Sequence, residues 1–126
     1  MILIIGGRYQ GKLDFARERF ALSDGDILVC DEGSGVLDFD KRCLAYLDRY
    51  ALGRVRAGEE PVNALKANME RLSDAVLITT DISCGVVPVD PVVRAWRDAC
   101  GRMNNCLARQ ADEVWRLFCG IPQRLK

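Results

Sequence analysis

The chain has 126 residues, of which 49% are hydrophobic, and its 18 basic and 18 acidic residues give a formal net charge of zero. This balance argues against a nucleic-acid-binding surface, which usually requires a basic field. No apolar run approaches the length of a membrane span, and the short apolar opening is not long enough for a signal peptide. We therefore expect a soluble, cytoplasmic protein with a single domain over residues 1–126.

The composition also limits the chemistry that the chain can perform. It contains six cysteines, none of them in a Cys-x-x-Cys pair, and no histidine. We expect the thiols to be reduced core residues, because neither a secretory context nor a zinc-ligand cluster is apparent. The absence of histidine removes the commonest general base and one possible covalent nucleophile.

The first third of the chain predicts a strand, a helix and a second strand. Residues 2–5 are an apolar, β-branched run that ends in Gly-Gly, which is typical of a buried parallel strand. Apolar residues then recur at helical spacing between 13 and 22. After a Ser-Asp-Gly-Asp turn, residues 26–31 predict the second strand, and a glycine-containing loop follows.

The middle of the chain, residues 39–58, is ambiguous. Leu44, Leu47 and Ala51 fit one face of a helix, whereas residues 43–47 fit a short strand equally well. Pro61 then predicts the first turn of a helix that continues to about Leu72.

The last third predicts strand, helix and strand. Residues 75–80 form a β-branched apolar run, and Asp90-Pro91 is a strong signal for the start of a helix. That helix keeps an apolar stripe to Ala111, with four arginines off the stripe, and residues 114–119 predict a final strand stopped by glycine and proline. Alternation of strands and helices predicts an α/β fold with a mainly parallel sheet and flanking helices.

Residues 6–13 match the phosphate-loop pattern G-x-x-x-x-G-K-[ST] at every position except the last. In such loops the glycines let backbone N–H groups face a phosphate, the next helix adds its positive end, and the lysine reaches the outer phosphates. The motif follows a predicted strand and opens a predicted helix, as this function requires. We therefore predict a P-loop NTPase-like fold, with residues 1–126 as a single nucleotide-binding domain. The nucleotide-binding loop is predicted to consist of Gly6, Gly7, Arg8, Tyr9, Gln10, Gly11, Lys12 and Leu13.

Leu13 stands where the motif has a hydroxyl that ligates Mg²⁺, so metal binding should be weakened. A carboxylate is the other metal ligand that phosphoryl transfer needs. Asp31, after the second predicted strand, and Asp81, after the strand at 75–80, are the candidates. A turn or capping role explains Asp31 equally well. Asp81 is favoured because the loop after it lies at the carboxyl edge of the sheet.

The C-terminal residues carry a spaced set of short motifs. These are Gly85-Val86-Val87-Pro88, Arg97-Asp98, Gly101-Arg102, Asn104, Leu107-Ala108, Ala111-Asp112-Glu113-Val114, Gly120, Pro122 and Lys126. In this pattern the chain resembles the adenosylcobinamide kinase / adenosylcobinamide-phosphate guanylyltransferase family of cobalamin biosynthesis. The resemblance is good over residues 2–16 and 75–126, and poor between about 25 and 72.

The resemblance implies a homo-oligomeric enzyme that binds ATP or GTP, with Mg²⁺, and adenosylcobinamide. Family members phosphorylate adenosylcobinamide and then transfer GMP to that phosphate. By position, Gly6 to Lys12 would hold the phosphates, with Lys12 stabilising charge on the transferred group. Cys30, Asp31 and Glu32 would lie near the nucleotide. Asp81 takes the place of a family glutamate, which implies a part in positioning metal or phosphate.

Two departures from the family pattern concern its chemistry. The family carries the guanylyl group on a histidine, and this chain has none. Leu13 replaces the family's hydroxyl residue. We therefore expect a nucleotide-dependent kinase that has lost histidine-dependent guanylyl transfer. The alternatives are a catalytically degenerate nucleotide- or corrinoid-binding partner protein, and a kinase for another small alcohol.

Overall fold

A computed structural model describes residues 1–126 and contains one six-stranded sheet with helices on both faces. The strands are β1 (Ile2–Gly6), β2 (Ile27–Val29), β3 (Cys43–Ala45), β4 (Val76–Thr80), β5 (Glu113–Phe118) and β6 (Ile121–Arg124). The helices are α1 (Lys12–Phe20), α2 (Leu47–Arg56), α3 (Val62–Ala67) and α4 (Pro91–Gln110), with 3₁₀ turns at Asp24–Asp26 and Met69–Leu72. No helix is long and apolar enough to cross a membrane.

The strand order is β2-β3-β4-β1-β5-β6, and every pairing is parallel except that of β5 with β6. The predicted α/β class with a mainly parallel sheet and flanking helices is confirmed. In the register, Gly6 at the end of β1 lies between Thr80 of β4 and Leu117 of β5. The loop that follows β1 therefore leaves the sheet at its carboxyl edge, between two neighbouring strands.

Alternation along β1 divides the core into two layers. Leu3 packs in the larger cluster, with residues of α2, α3 and α4, whereas Ile4 packs on the opposite face with Ala16 of α1. Both side chains are almost fully buried, and burial of each stabilises the fold by about 1.5–3 kcal/mol. The apolar run at the start of the chain is thus explained by a strand that is covered on both faces.

The ambiguous middle segment contains both a strand and a helix. β3 ends at Ala45, Tyr46 adopts a left-handed conformation with φ 62°, and α2 begins at Leu47. The helix predicted from Pro61 to Leu72 is interrupted at Asn68. The Asn68 side-chain amide donates to the carbonyl oxygen of Ala64 at 2.9 Å, and the chain continues as a 3₁₀ turn.

The C-terminal end contains a strand that the sequence did not predict. β5 ends as expected, but Cys119 and Gly120 both have positive φ and form a two-residue turn into β6. The predicted end of strand structure at Gly120 and Pro122 is therefore wrong. Pro122 is accommodated because β6 is an edge strand, where a missing backbone donor leaves no neighbour unpaired.

Helix α4 begins as predicted. The Asp90 carboxylate accepts the backbone N–H of Val92 at 2.8 Å, and Pro91 occupies the first turn. Two of the off-stripe arginines bind the loop that precedes the helix. Arg94 donates to the carbonyl oxygens of Pro88 and Val89, and Arg97 donates to loop carbonyls as well, so both tie the preceding loop to the helix.

Candidate functional site

The glycine-containing loop after β1 bends sharply and opens α1. Gly6 lies so close to the Leu117 carbonyl of β5 that a Cβ atom there would overlap it. Gly11 has a φ of 80°, a left-handed conformation that suits glycine, directly before Lys12 begins the helix. Tyr9, at the tip of the loop, also has a positive φ and is 99% exposed.

The hairpin turn between β5 and β6 contacts this loop and helps to hold it in place. The Gln10 side-chain oxygen accepts the backbone N–H of Cys119, and a Cβ at Gly11 would lie 3.7 Å from the Cα of Gly120. On the other side, the backbone N–H of Asp81 donates to the Gly6 carbonyl at 3.0 Å. The strand that the sequence missed therefore helps to fix the shape of the loop.

Lys12 is a buried cation at the start of α1. Its side chain is almost fully enclosed, and Nζ donates to the carbonyl oxygen of Gly7 at 2.6 Å. Burial lowers its pKa from the ordinary value of 10.5; the Asp48 carboxylate opposes this shift, and the guanidinium groups of Arg49 and Arg8 add to it. One neutral hydrogen bond is little compensation for a buried ammonium group, so the environment favours an incoming anion.

A cavity of about 580 Å³ lies beside the loop and extends under α2 and α4. Its lining combines both signs of charge with aromatic and aliphatic surface. The residues are Arg8–Leu13 of the loop, and Asp14, Glu32, Tyr46, Asp48, Arg49, Leu52, Thr80 and Trp96. Arg49 stacks over Tyr46, with Cζ 4.6 Å from the ring centroid, and with Arg8 and Lys12 it makes the cavity suitable for polyphosphates.

Asp48 is the buried carboxylate of this cavity, and the sequence reasoning missed it. It lies in the first turn of α2 and is only 2% exposed. Its Oδ1 accepts the backbone N–H of Thr80 at 3.0 Å, and its backbone carbonyl accepts the indole N–H of Trp96 at 2.7 Å. The sequence does place this aspartate just after a short strand, at the carboxyl edge of the sheet, which is where ligand-binding residues are expected. Because residues 39–58 fit a helix and a strand equally well, this position could not be assigned from the sequence.

The structure brings together some of the predicted site residues and leaves others apart. The loop residues 8–13 and Glu32 line the cavity, and Glu32 is paired there with Arg56. Gly7 takes part through its carbonyl. Cys30, Asp31 and Asp81 do not line it. Cys30 is fully buried, and burial raises the pKa of its thiol to about 12.

The two candidate metal ligands, Asp31 and Asp81, each hold a local turn. Asp31 accepts the Ser34 hydroxyl at 3.2 Å, and Ser34 in turn accepts the Asp31 N–H. Asp81 accepts the backbone N–H of Ser83 at 3.0 Å and its hydroxyl as well. These hydrogen bonds hold the pKa of the Asp81 carboxyl below its ordinary range.

A divalent cation would find few protein ligands in this chain. The structure contains no cluster of three or more His, Cys, Asp or Glu side chains that could hold a metal ion. Leu13 supplies no oxygen and packs against the core on the α1 side of the sheet. A Mg²⁺ ion at the cavity would therefore depend on one or two of the lining carboxylates together with phosphate oxygens and water, a combination that Mg²⁺ commonly accepts.

Comparison with known proteins decides the family. The sequence profile described as cobinamide kinase / cobinamide phosphate guanyltransferase matches residues 41–125, about two thirds of the chain. The chain belongs to this cobinamide kinase/guanyltransferase family. The match begins at residue 41, so it includes most of the middle segment in which we expected poor resemblance, and it leaves out the loop at residues 6–12.

Two curated relatives of the cobinamide kinase/guanyltransferase family are similar to part of the chain. The bifunctional adenosylcobalamin biosynthesis protein CobU of Salmonella typhimurium is 38% identical over 72 residues, which is 56% of this chain and 40% of that protein. The protein of the same name from Escherichia coli K12 is 37% identical over 76 residues, or 56% of this chain and 42% of its own length. The similarity thus spans less than half of either relative.

Proposed function

We propose that this chain binds the phosphates of a purine nucleoside triphosphate, ATP or GTP, in the cavity beside residues 6–12. The observation that carries the proposal is the environment of Lys12. Its buried ammonium group has one neutral hydrogen bond, lies at the start of a helix and faces a cavity that Arg8 and Arg49 also line. Helix N-termini and cations together favour bound phosphate.

We further propose that the chain is a nucleotide-dependent kinase of its family, with a corrinoid side-chain hydroxyl, such as that of adenosylcobinamide, as acceptor. The acceptor oxygen would form a bond to the γ-phosphorus while the bond to the bridging oxygen breaks, releasing the nucleoside diphosphate and the hydroxyl proton. Lys12 would stabilise charge on the transferred group. Histidine-dependent guanylyl transfer is not part of the proposal, because these 126 residues contain no histidine.

The predicted metal-positioning role of Asp81 and Asp31 stays a prediction. Both carboxylates accept hydrogen bonds from a nearby serine and lie outside the cavity lining. A single domain over residues 1–126 and a homo-oligomeric assembly are likewise part of the proposal. Support for one domain comes from the single sheet that joins both ends of the chain.

The experiment is a turnover assay with purified protein, Mg²⁺, ATP or GTP, and adenosylcobinamide. Mass spectrometry of the corrinoid should show the mass of one added phosphoryl group, together with release of ADP or GDP. Lys12→Ala should abolish both signals, whereas Lys66→Ala, at an exposed position, should not change them. A corrinoid of unchanged mass at full nucleotide occupancy would contradict the kinase proposal.

The second candidate function is a nucleotide- or corrinoid-binding protein without turnover. Leu13 favours it, because the position that normally gives an oxygen to Mg²⁺ is a partly buried leucine that supplies none. Tight nucleotide binding without phosphoryl transfer to adenosylcobinamide or to a panel of small alcohols would support this candidate. Transfer to another alcohol would support the kinase for a different acceptor.

A further inference from the structure

The two oxygens of the Asp48 carboxylate have different environments. Oδ1 accepts the Thr80 N–H, whereas no group of the protein donates a hydrogen bond to Oδ2 or forms an ion pair with it. Oδ2 is not among the enclosed polar atoms that lack a partner. Oδ2 therefore keeps some accessible surface, and the cavity that Asp48 lines is the open space beside this residue.

A carboxylate that is 2% exposed ordinarily requires strong compensation. Removing it from water costs several kcal/mol, and one backbone N–H satisfies only a fraction of its acceptor capacity. Lys12 lines the same cavity, yet its Nζ is bonded to the Gly7 carbonyl and not to Asp48. The two buried charges thus each have one neutral partner and share one cavity.

We propose that Asp48 is the protein carboxylate that ligates the Mg²⁺ ion accompanying the bound triphosphate. The inference rests on the proposed nucleotide binding. A phosphate drawn to Lys12 would be repelled by a bare Asp48 carboxylate, and a divalent cation between them removes that repulsion. Mg²⁺ is commonly bound through one or two carboxylates plus substrate phosphates and water. From its place on α2, Asp48 would thereby supply the metal-binding oxygen that Leu13 lacks.

The other carboxylates near the cavity are less suited to this role. Glu32 is half-exposed and paired with Arg56, and Asp14 is exposed on the first turn of α1. Asp31 and Asp81 accept serine hydrogen bonds outside the cavity. Asp48 alone combines burial with an oxygen that has no protein partner.

The test is the effect of Mg²⁺ on nucleotide affinity. Isothermal titration of ATP or GTP, with Mg²⁺ and with a chelator, would be performed on the wild type, Asp48→Asn and Asp81→Asn. Asp98→Asn is a matched control, because it removes the same charge from an exposed position on α4. Circular dichroism and thermal melting establish that each variant is folded.

In the wild type and in Asp98→Asn, Mg²⁺ should tighten binding by at least about fivefold, the lower end of ordinary coupling between two ligands. In Asp48→Asn, the ratio of the nucleotide affinity with Mg²⁺ to that with the chelator (the Mg²⁺ ratio) should fall close to one. The chelator affinity should stay the same or rise, since a negative charge beside the phosphates is gone. A purely structural role would instead lower both affinities together.

A second measurement uses the unaltered protein, in case Asp48→Asn does not fold. In ¹³C NMR of the wild type saturated with a non-hydrolysable triphosphate, added Mg²⁺ should shift the side-chain carboxyl signal of Asp48 and not that of Asp81 or Asp31. Three outcomes would overturn the assignment of Asp48 while leaving the proposed nucleotide binding intact. They are an unchanged Mg²⁺ ratio in folded Asp48→Asn, loss of the Mg²⁺ effect in Asp81→Asn, and an Asp48 carboxyl signal that does not shift. Absence of nucleotide binding by the wild type under both conditions would overturn the proposed function as well.

Discussion

The indole N–H of Trp96 donates a 2.7 Å hydrogen bond to the backbone carbonyl of Asp48, and both residues are buried at the wall of the cavity. This contact ties the second turn of α4 to the first turn of α2. It links the segment with the strongest family motifs to the carboxylate that we assign to the metal. The position of Asp48 therefore depends on a residue 48 positions away in the chain.

Loss of the hydrogen bond between Trp96 and Asp48 should destabilise the fold. Trp96→Phe leaves the Asp48 carbonyl without its donor in a buried place and should lower the free energy of unfolding by about 1–3 kcal/mol. Trp115→Phe is the matched control, because its indole bonds to Glu113 at 2.9 Å on a half-buried side chain. Urea unfolding followed by circular dichroism measures both. Equal losses in the two variants would show that the contact with Asp48 has no special weight.

A methyl group at Gly6 should disturb the point where the phosphate loop leaves β1. The added Cβ would overlap the Leu117 carbonyl of β5, a backbone atom that cannot simply rotate away. We expect Gly6→Ala to destabilise the fold by about 1–3 kcal/mol, as overpacking usually does. Gly101→Ala should have the opposite sign, because Gly101 lies inside α4 with open space around it, and alanine there should stabilise by about 0.5–1 kcal/mol. Thermal melting of the two variants tests both signs, and a stable Gly6→Ala would refute the close packing.

The lowered pKa of Lys12 should appear in the pH dependence of nucleotide affinity. Because burial favours the neutral amine, Lys12 loses its proton below the ordinary value of 10.5. Triphosphate binding requires the charged form, so affinity should fall as pH rises through the lowered pKa. Lys12→Arg, which keeps its charge throughout, should bind with an affinity that is flatter over the same rise in pH. The same alkaline decline in both proteins would assign it to another group.

The same shift predicts how the free protein responds to alkali. Between the lowered pKa of folded Lys12 and the ordinary value of the unfolded chain, the unfolded state binds more protons. The Lys12 contribution to the free energy of unfolding should therefore rise with pH in that window. Lys12→Met should remove this contribution, which denaturant titrations of the wild type and the variant would measure.

The cysteines should divide sharply in reactivity. Burial raises the pKa of the Cys30, Cys43 and Cys100 thiols to about 12, so little thiolate forms at neutral pH. Cys84 and Cys119 are exposed. After brief treatment of the native protein with iodoacetamide, peptide mapping by mass spectrometry should show alkylation at the exposed pair, with the three buried thiols modified only after unfolding. Early modification of Cys43 would contradict the placement of β3 in the core.

Local signals in the sequence were sufficient for most of the fold. The apolar run of β1, the β-branched run of β4 and the Asp90-Pro91 helix start each determine their element through burial pattern or capping, and all three are confirmed. Two elements were not predictable in this way. The three-residue strand β3 depends on pairing with its neighbours, and β6 depends on β5, which holds it as an edge strand despite Pro122.

The candidate site was only partly predictable for a related reason. Residues 8–13 are contiguous, so a motif identifies them, and they do line one cavity. Asp48, Thr80 and Trp96 come from three separate elements and meet only because of the strand order. The position of Asp81 after β4 suggests a metal ligand at the carboxyl edge of the sheet. In the structure, however, the neighbouring Thr80 lines the cavity, and the Asp81 carboxylate accepts a hydrogen bond from Ser83.

The most direct test of the account is equilibrium binding of ATP and GTP to the wild type and to Lys12→Ala, with Lys66→Ala as the control. Loss of a hydrogen-bonded charge costs about 1.5–3 kcal/mol, so Lys12→Ala should weaken binding by at least about tenfold. Lys66→Ala should bind like the wild type, because its side chain is exposed on α3. Saturable binding that depends on Lys12 would support a phosphate site at residues 6–12. Absence of binding in the wild type, or binding indifferent to Lys12→Ala, would contradict it.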